Sequence, residues 1–338
     1  MTRILIVRLG SLGDLVHALP AVSAIAEAHP GAEIDWLVDA VHRDFLALVP
    51  MISLIVPLRD RTAAAWLEAR RLLRSRAYDV ALDFQGLLKS AALARLSGAR
   101  RVIGFDRQSL RERAAAPFYT QRVEVGDAAG ATQHVIDKNL RLATSIGAAI
   151  GERRFPLIEP DSPALRQVQA SGLARFILIN PSAAWPNKRW PPASFGSVAA
   201  HVHGRYGRRS VVLWGPGEEM LARAVVEASS GAGVVAPATT IADLVALSRQ
   251  ASLFVSGDTG PLHIAAAVGT PVVALFGPTS PARNGPWDAR DVSLSKYEAC
   301  VCHYQRRCQQ PDDWCLARIR VDEVTAAIDA RLGEPSHE

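Results

Sequence analysis

The residues of this chain that are best placed to do chemistry together lie in one short turn. The turn reads VSGDTGPLH at 255–263, and an alanine-rich stretch and a second apolar run follow it. This order predicts a buried strand, a tight turn and a helix, which puts the turn where open parallel sheets bind ligands. The polar groups there are Asp258, Thr259, Gly260 and His263.

Helix N-terminal amides favour an anion, and a neighbouring carboxylate can accept hydrogen bonds from hydroxyls. The turn therefore favours a ligand with both phosphates and hydroxyls, such as a nucleotide sugar. The structural alternative is a tight turn in which Asp258 caps the helix and His263 lies in the core.

A second strand–turn–helix pattern lies near the amino terminus and reads RLGSLGDLVH at 8–17. Gly10 and Gly13 permit positive φ and the close approach of another molecule. Asp14 falls in the first turn of the following helix, where it can cap the helix, act as a base, or do both. No third glycine follows in register, so this is not the dinucleotide-binding fingerprint.

Polar residues follow other predicted strands of the second half. Asn180 and Ser182 can donate hydrogen bonds to phosphate oxygens, and Lys188 offers a charge to a diphosphate. The glycine turn LWGPGE at 213–218 leaves room for a base or ribose, with Glu218 available to a hydroxyl, and Thr239 joins the donor-side candidates. A solvated polar loop and a first-turn helix glutamate are the alternatives.

The first half carries basic candidates. DFQGLLKS at 83–90 presents Gln85 and Lys89 after a strand, and six arginines lie between Arg59 and Arg76 among apolar residues. Such a basic amphipathic helix can lie on an anionic membrane or can be an ordinary surface helix. A further cluster could contact acceptor carboxylates or phosphates, and it consists of Arg107, Arg111 and Arg113.

These turns need parallel sheets to position them. Apolar strands alternate with helices in both halves, which predicts an α/β protein with two doubly wound domains. Strands are expected at 3–7, 33–38, 53–57, 79–83 and 101–104, and at 176–180, 210–214, 233–235, 253–256 and 271–276; helices include 15–28, 62–75, 88–96, 132–146 and 321–332. We expect domains at 1–155 and 156–320, a Pro-rich linker near 151–163, and a C-terminal segment, 321–338, that packs back on the first domain. The turns at 10–14 and 258–263 are expected to open onto one cleft.

Length, charge and apolar runs limit the kinds of ligand and location that the chain can have. The chain has 338 residues, a net charge of +5 and a pI near 9.3, which suits an anionic substrate or membrane surface. No basic tract interleaved with aromatic residues argues for nucleic acid. Neither a secretory signal nor a membrane-spanning run is seen, so we expect a cytoplasmic protein with at most peripheral membrane contact.

All four cysteines lie close together near the C-terminus, at Cys300, Cys302, Cys308 and Cys315. Their spacing does not match the common paired zinc ribbon. Two alternatives are open: a structural metal cluster, with His303 as a candidate further ligand, and reduced structural cysteines.

Together, these segments resemble the lipopolysaccharide heptosyltransferases of glycosyltransferase family 9, most of all the heptosyltransferase I branch. The resemblance covers nearly the whole chain and depends on SLGDLVHALP at 11–20, DFQGLLKS at 83–90, QH at 133–134, KRWP at 188–191, and DTGPLH at 258–263 with FGPT at 276–279.

The resemblance implies a GT-B fold and an inverting transfer of L-glycero-D-manno-heptose from ADP-heptose to the Kdo region of the inner core. It implies that no cofactor is required, that lipid A–Kdo is the acceptor, and that the protein lies at the cytoplasmic face of the inner membrane.

Site residues also follow from the resemblance. Asp14 matches the catalytic base, Lys188 the diphosphate-binding lysine, and Asp258 the aspartate that contacts heptose hydroxyls. The donor loop is matched by Thr259, Gly260 and His263, and acceptor-side positions by Lys89 and Arg111. Ser11, Gly13 and Gln85 join them as acceptor-side candidates. The tryptophan-glycine turn departs from the family, which usually has glutamate where this chain has Gly217.

Other functions stay open. A family 9 transferase could use another acceptor, of the heptosyltransferase II type or a protein. A nucleotide-sugar epimerase or hydrolase would need a second carboxylate near Asp14, for which Asp83 is the candidate. A non-catalytic binding protein would not need Asp14.

Overall fold

The computed structural model describes residues 2–60, 62–126, 133–310 and 312–333. The chain divides into two compact units, Met1–Ile158 and Glu159–Glu338. This division falls inside the Pro-rich passage at 151–163.

The first unit is built on a six-stranded parallel sheet in the order β3-β2-β1-β4-β5-β6. Its strands are β1 (Arg3–Val7), β2 (Glu33–Asp39), β3 (Leu54–Leu58), β4 (Val80–Asp83), β5 (Arg101–Phe105) and β6 (Gln121–Val123). Its helices are α1 (Leu12–Val16), α2 (Leu19–Ala28), α3 (Arg43–Leu46), α4 (Ala63–Ser75), α5 (Leu88–Leu96) and α6 (Val135–Thr144). The helix predicted at 132–146 begins at a residue, Thr132, that lies outside the described residues.

The second unit repeats this design with a sheet in the order β12-β11-β10-β7-β8-β9. Its strands are β7 (Phe176–Asn180), β8 (Arg209–Val212), β9 (Gly233–Val235), β10 (Phe254–Gly257), β11 (Val272–Phe276) and β12 (Val292–Ser295). Its helices are α7 (Pro163–Ala170), α8 (Pro192–Tyr206), α9 (Glu219–Ala228), α10 (Ile241–Gln250), α11 (Gly260–Ala267), α12 (Pro281–Asn284) and α13 (Val321–Leu332).

In each sheet the strand order reverses once, between β1 and β4 in the first unit and between β10 and β7 in the second. Ligands bind beyond the carboxyl ends of the strands at such switch points. The central strands β7 and β11 are buried throughout, as expected for a parallel sheet covered by helices on both faces. The predicted α/β class is confirmed.

Two edge strands, β6 and β12, are absent from the sequence prediction. They are short and half exposed, with the sequences QRV and VSLS. Their polar residues hide the continuous apolar run that marks a central strand.

The C-terminal helix α13 corrects a prediction. It packs in the second unit against α8, β11 and β12, and its buried Val324, Ala327 and Ile328 belong to the apolar core of that unit. The expectation that it packs back on the first domain is wrong, because its apolar face is already buried beside β11. No helix in the part of the chain that the structure describes is long and apolar enough to cross a membrane.

Candidate functional site

The switch point of the second unit holds a buried ion pair. Lys188 follows β7 in a short 3₁₀ turn, Pro186–Lys188, and its Nζ donates to Oδ2 of Asp258 at 2.6 Å and to the Asp258 carbonyl at 3.2 Å. The Lys188 ammonium also lies over the Trp185 ring, 4.7 Å from its centroid. The lysine side chain is 14% exposed and that of Asp258 is 4% exposed, so the pair is shielded from solvent but Lys188 stays reachable.

Asp258 gathers two further groups. Thr279 Oγ1 donates to Oδ2 at 2.6 Å, and His263 Nε2 lies 3.1 Å from Oδ1. Burial opposes the ionisation of Asp258, but the hydrogen bond from His263 and the charge of Lys188 outweigh it and hold the pKa of the carboxyl well below its usual range. The carboxylate thus organises the groups at the start of α11, and contact with a sugar hydroxyl stays a prediction.

Asn180 and Ser182 differ in whether their side chains already have hydrogen-bond partners within the protein. The Asn180 amide nitrogen is committed inside the protein, since it lies within hydrogen-bond distance of Ser256 Oγ, Thr259 Oγ1 and the Ser182 carbonyl. It ties the end of β7 to the end of β10 and is not aimed at a phosphate. The buried Ser182 hydroxyl has no hydrogen-bond partner among the described residues, so it can serve a ligand.

Gly257 allows the lysine turn to pack on β10. A Cβ atom built there would lie 2.6 Å from the Lys188 carbonyl oxygen, which is too close for any side chain. This close approach explains the glycine that precedes Asp258.

The other donor-side candidates lie on neighbouring turns. Glu218 accepts a hydrogen bond from Arg189 Nη2 at 2.5 Å, so the structure gives it a partner other than a ribose hydroxyl. Thr239 is half-buried and precedes Thr240, the residue that caps α10. Thr259 and Gly260 form the start of α11, whose first-turn amides have no partner within the helix.

The switch point of the first unit presents Asp14. Arg8 Nη2 lies 2.6 Å from Asp14 Oδ1, while the amide and hydroxyl of Ser11 donate to Oδ2 at 3.0 and 3.1 Å. Ser11 is the N-cap residue of α1, and Asp14, at the third helical position, closes the helix start by accepting from the Ser11 amide. The Asp14 side chain is still 25% exposed. The Arg8 guanidinium is thus the positively charged partner of the Asp14 carboxylate.

Gln85 joins the two loops of this switch point, since its Oε1 accepts from the Leu9 amide at 2.8 Å. The loop after β4 is held by Asp83, which accepts from the amides of Gln85 and Gly86 and from the hydroxyls of Ser90 and Tyr119. Asp83 is fully buried, so it is not the second catalytic carboxylate that an epimerase would need.

The acceptor-side cations are less buried. Lys89 Nζ lies 3.3 Å from Asp39 Oδ1, and Arg111 is exposed. Gly13 is buried within α1 and supports the turn without presenting a side chain.

Three residues of the site are absent from the set predicted from the sequence. Arg8 is a buried arginine directly after an apolar strand, a signal that could have marked it. His42 lies beside Gly10, and burial lowers its pKa although Asp39 and Asp14 raise it. Thr279 has no sequence signal of its own, because its role depends on the packing of the loop after β11 beside Asp258.

The four cysteines meet in space as free thiols. Cys300, Cys302 and Cys315 form a buried group against which Cys308 packs. His303 stands apart, since its Nε2 lies 2.8 Å from the Tyr297 carbonyl and its ring stacks on that of Tyr297 at 4.1 Å. The suggestion that His303 joins the cluster is therefore wrong.

Comparison with known proteins identifies a matching family and its relatives. The family model described as glycosyltransferase family 9 (heptosyltransferase) matches residues 66–312. Lipopolysaccharide heptosyltransferase 1 from Pseudomonas aeruginosa is 29% identical, with 98% of this chain and 99% of that protein covered.

Solved structures resemble the fold over almost the full chain. A family 9 glycosyltransferase from Veillonella parvula has a TM-score of 0.81 at 22% identity, covering 98% of this chain and 97% of that one. The heptosyltransferase WaaC of E. coli, solved with ADP-2-deoxy-2-fluoro heptose, has a TM-score of 0.74 at 24% identity, covering 97% and 99%. These likenesses confirm the predicted GT-B fold class.

Proposed function

The chain belongs to glycosyltransferase family 9, and we propose that it is an inverting heptosyltransferase. It moves L-glycero-D-manno-heptose from ADP-heptose to the Kdo region of the lipopolysaccharide inner core. The observation that carries this proposal is the Lys188–Asp258 pair at the start of α11, a cation beside helix amides at a switch point. The names of the relatives support heptose as the sugar.

The donor is assigned to the second unit. Lys188, the Ser182 hydroxyl and the first-turn amides of α11 stabilise the diphosphate, on which negative charge builds as the glycosidic bond breaks. Asp258 positions Lys188 through the hydrogen bond that it accepts from the ammonium group, and His263 and Thr279 hold Asp258 in place. Preorganised donors of this kind stabilise the leaving group without reorganising during the reaction.

The acceptor is assigned to the first unit. Asp14 removes the proton of an acceptor hydroxyl as that oxygen attacks the anomeric carbon from the face opposite the departing ADP. An oxocarbenium-like state develops at the sugar, as in other glycosyl transfers. Arg8 forms an ion pair with the Asp14 carboxylate, and Ser11 fixes its orientation through a hydrogen bond. The chemistry requires that Asp14 and the bound donor meet in the reacting complex.

The anionic acceptor also suggests where the protein works. We propose peripheral contact with the cytoplasmic face of the inner membrane through α4, on which Leu67 and Leu72 are exposed among arginines. Co-sedimentation with anionic but not neutral vesicles tests this part separately from catalysis.

The experiment combines purified protein with ADP-heptose, with and without de-heptosylated lipopolysaccharide that ends in Kdo. ADP release that depends on the acceptor supports transfer. Release without an acceptor supports a hydrolase or epimerase, and binding without turnover supports a non-catalytic sugar-nucleotide protein. A panel of acceptors, including a lipopolysaccharide core that already carries heptose and a protein, separates heptosyltransferase I from other family 9 specificities.

A further inference from the structure

The four cysteines form a compact sulfur cluster in the loop between β12 and α13. They have the spacing C-x-C-x5-C-x6-C from Cys300 to Cys315. Cys300 Sγ lies 3.5 Å from Cys302 Sγ and 3.4 Å from Cys315 Sγ, and Cys308 packs on the group. Three of the four residues are buried.

N–H groups point at three of the sulfurs. The Cys302 amide donates to Cys300 Sγ at 3.4 Å, and the Gln310 amide donates to Cys308 Sγ at 3.4 Å. Asn187 Nδ2 lies 3.6 Å from Cys302 Sγ. Such donors stabilise a thiolate more than a thiol, because a charged acceptor makes the stronger hydrogen bond. Several buried thiolates close together are unfavourable unless a cation compensates their charge, because burying an unpaired charge costs much free energy.

We propose that Cys300, Cys302, Cys308 and Cys315 bind one divalent metal ion, zinc or iron, as a tetrahedral thiolate site. Four soft sulfur ligands suit these metals. Four protein ligands leave no open position, so the metal is structural and takes no part in glycosyl transfer.

For two pairs of sulfurs, Cys300 with Cys302 and Cys300 with Cys315, metal binding requires only a small increase in distance. As the side chains stand, no group of three or more in the described part of the chain is already arranged to hold a metal ion. A metal–sulfur distance of about 2.3 Å requires sulfurs roughly 3.8 Å apart. The contacts of Cys300 with Cys302 and Cys315 are shorter than this, so these sulfurs need to move apart by only a few tenths of an ångström, about the reach of small side-chain rotations.

The proposed metal site would stabilise the two donor-binding turns, because hydrogen bonds join the cysteine loop to both of them. Asn187, next to Lys188, donates to the Gln305 carbonyl at 3.0 Å, and Trp314 Nε1 donates to the Arg189 carbonyl at 2.9 Å. Near Thr279, the Tyr304 amide donates to the Pro278 carbonyl at 2.8 Å.

The loop that carries the cysteines therefore contacts both turns that supply partners of Asp258, the one with Lys188 and the one with Thr279. Metal binding would stabilise this loop and, through it, the position of Lys188.

The first test is elemental analysis of the full-length protein, purified under reducing conditions without a metal-affinity column. We expect about one zinc or iron per chain, released together with four titratable thiols when a chelator is added. Titration of the stripped protein with Co²⁺ should produce thiolate-to-cobalt charge-transfer absorption. Protein that holds no stoichiometric metal and shows no such absorption, or that carries its cysteines as disulfides when isolated, would overturn the proposal.

Variants test the ligand set. Cys308→Ser should lose the bound metal, whereas the matched control His303→Ala should keep it, because His303 lies against Tyr297 and outside the cluster. Asn187→Ala should weaken Co²⁺ binding by roughly 10- to 100-fold, as expected for a group that hydrogen-bonds a ligand, and it serves if Cys308→Ser does not fold. Metal retained equally in Cys308→Ser and Asn187→Ala would contradict the assignment. Since the readout is bound metal, the result does not depend on whether the protein transfers heptose.

Discussion

Lys188 Nζ lies 2.6 Å from Asp258 Oδ2, so the lysine assigned to the diphosphate is held in place by a carboxylate of the same unit. Asp258 is held in turn by His263 and Thr279. A long lysine side chain normally loses considerable conformational entropy when it binds a ligand. Here the ion pair has already restricted the side chain, which favours a preorganised anion site.

Replacing Lys188 with alanine should weaken ADP binding. A hydrogen bond to a charged group contributes about 1.5–3 kcal/mol, so Kd should rise by roughly 10- to 150-fold. Isothermal titration with ADP measures this, with Lys296→Ala as the control, since that lysine pairs with Glu323 of α13. An unchanged Kd for ADP would show that Lys188 does not bind the diphosphate and that its ion pair with Asp258 is only structural.

Replacing Asp14 with asparagine should lower the rate of transfer and leave ADP binding intact. General-base catalysis is typically worth about 10²- to 10⁴-fold, and kcat should fall by that factor. Circular dichroism must show that the variant is folded, because Asp14 also closes the start of α1 and pairs with Arg8. Asp44→Asn, on the exposed part of α3, is the control. Near-normal turnover in Asp14→Asn would remove Asp14 from the chemistry.

Replacing Gly257 with alanine should displace the lysine turn. The added Cβ would lie 2.6 Å from the Lys188 carbonyl oxygen, and relieving an overlap of this kind costs about 1–3 kcal/mol. We expect the Kd for ADP to rise by roughly tenfold or more. Gly204→Ala is the matched control, since Gly204 lies in α8 with nothing within 4 Å of a Cβ, and alanine there should be neutral or stabilising. Equal ADP affinity in both variants would show that the turn does not need this close approach.

Stability should depend on Asp258 in acid. Its pKa in the folded protein is lowered below the unfolded value of about 3.9, so the ionised carboxylate contributes stability that is present above that value and lost as pH falls through the folded pKa. The difference in the free energy of unfolding between wild type and Asp258→Asn should be constant from about pH 7 to pH 5 and should shrink below about pH 4. Urea denaturation at these values measures it. If this difference in the free energy of unfolding grew as the pH fell, the pKa of Asp258 would be raised in the folded protein, which contradicts the prediction.

Much of this site could be predicted from the sequence, because strand–turn–helix patterns mark Asp14 and Asp258 by position. The side chains that hydrogen-bond or pair with these two residues could not be predicted in the same way. Arg8 reaches Asp14 within the same turn, but Thr279 reaches Asp258 only because β10 and β11 are neighbours in the sheet. The polar edge strands β6 and β12 and the packing of α13 likewise depend on tertiary contacts that local patterns do not contain.

The most direct test of the account is the anomeric configuration of the product. ADP-heptose, a Kdo-terminated acceptor and the wild-type protein are combined, and the purified glycoside is examined by NMR. A single displacement assisted by Asp14 predicts one added heptose whose anomeric configuration is inverted relative to the donor. A product with retained configuration, or free heptose in place of a glycoside, would contradict it.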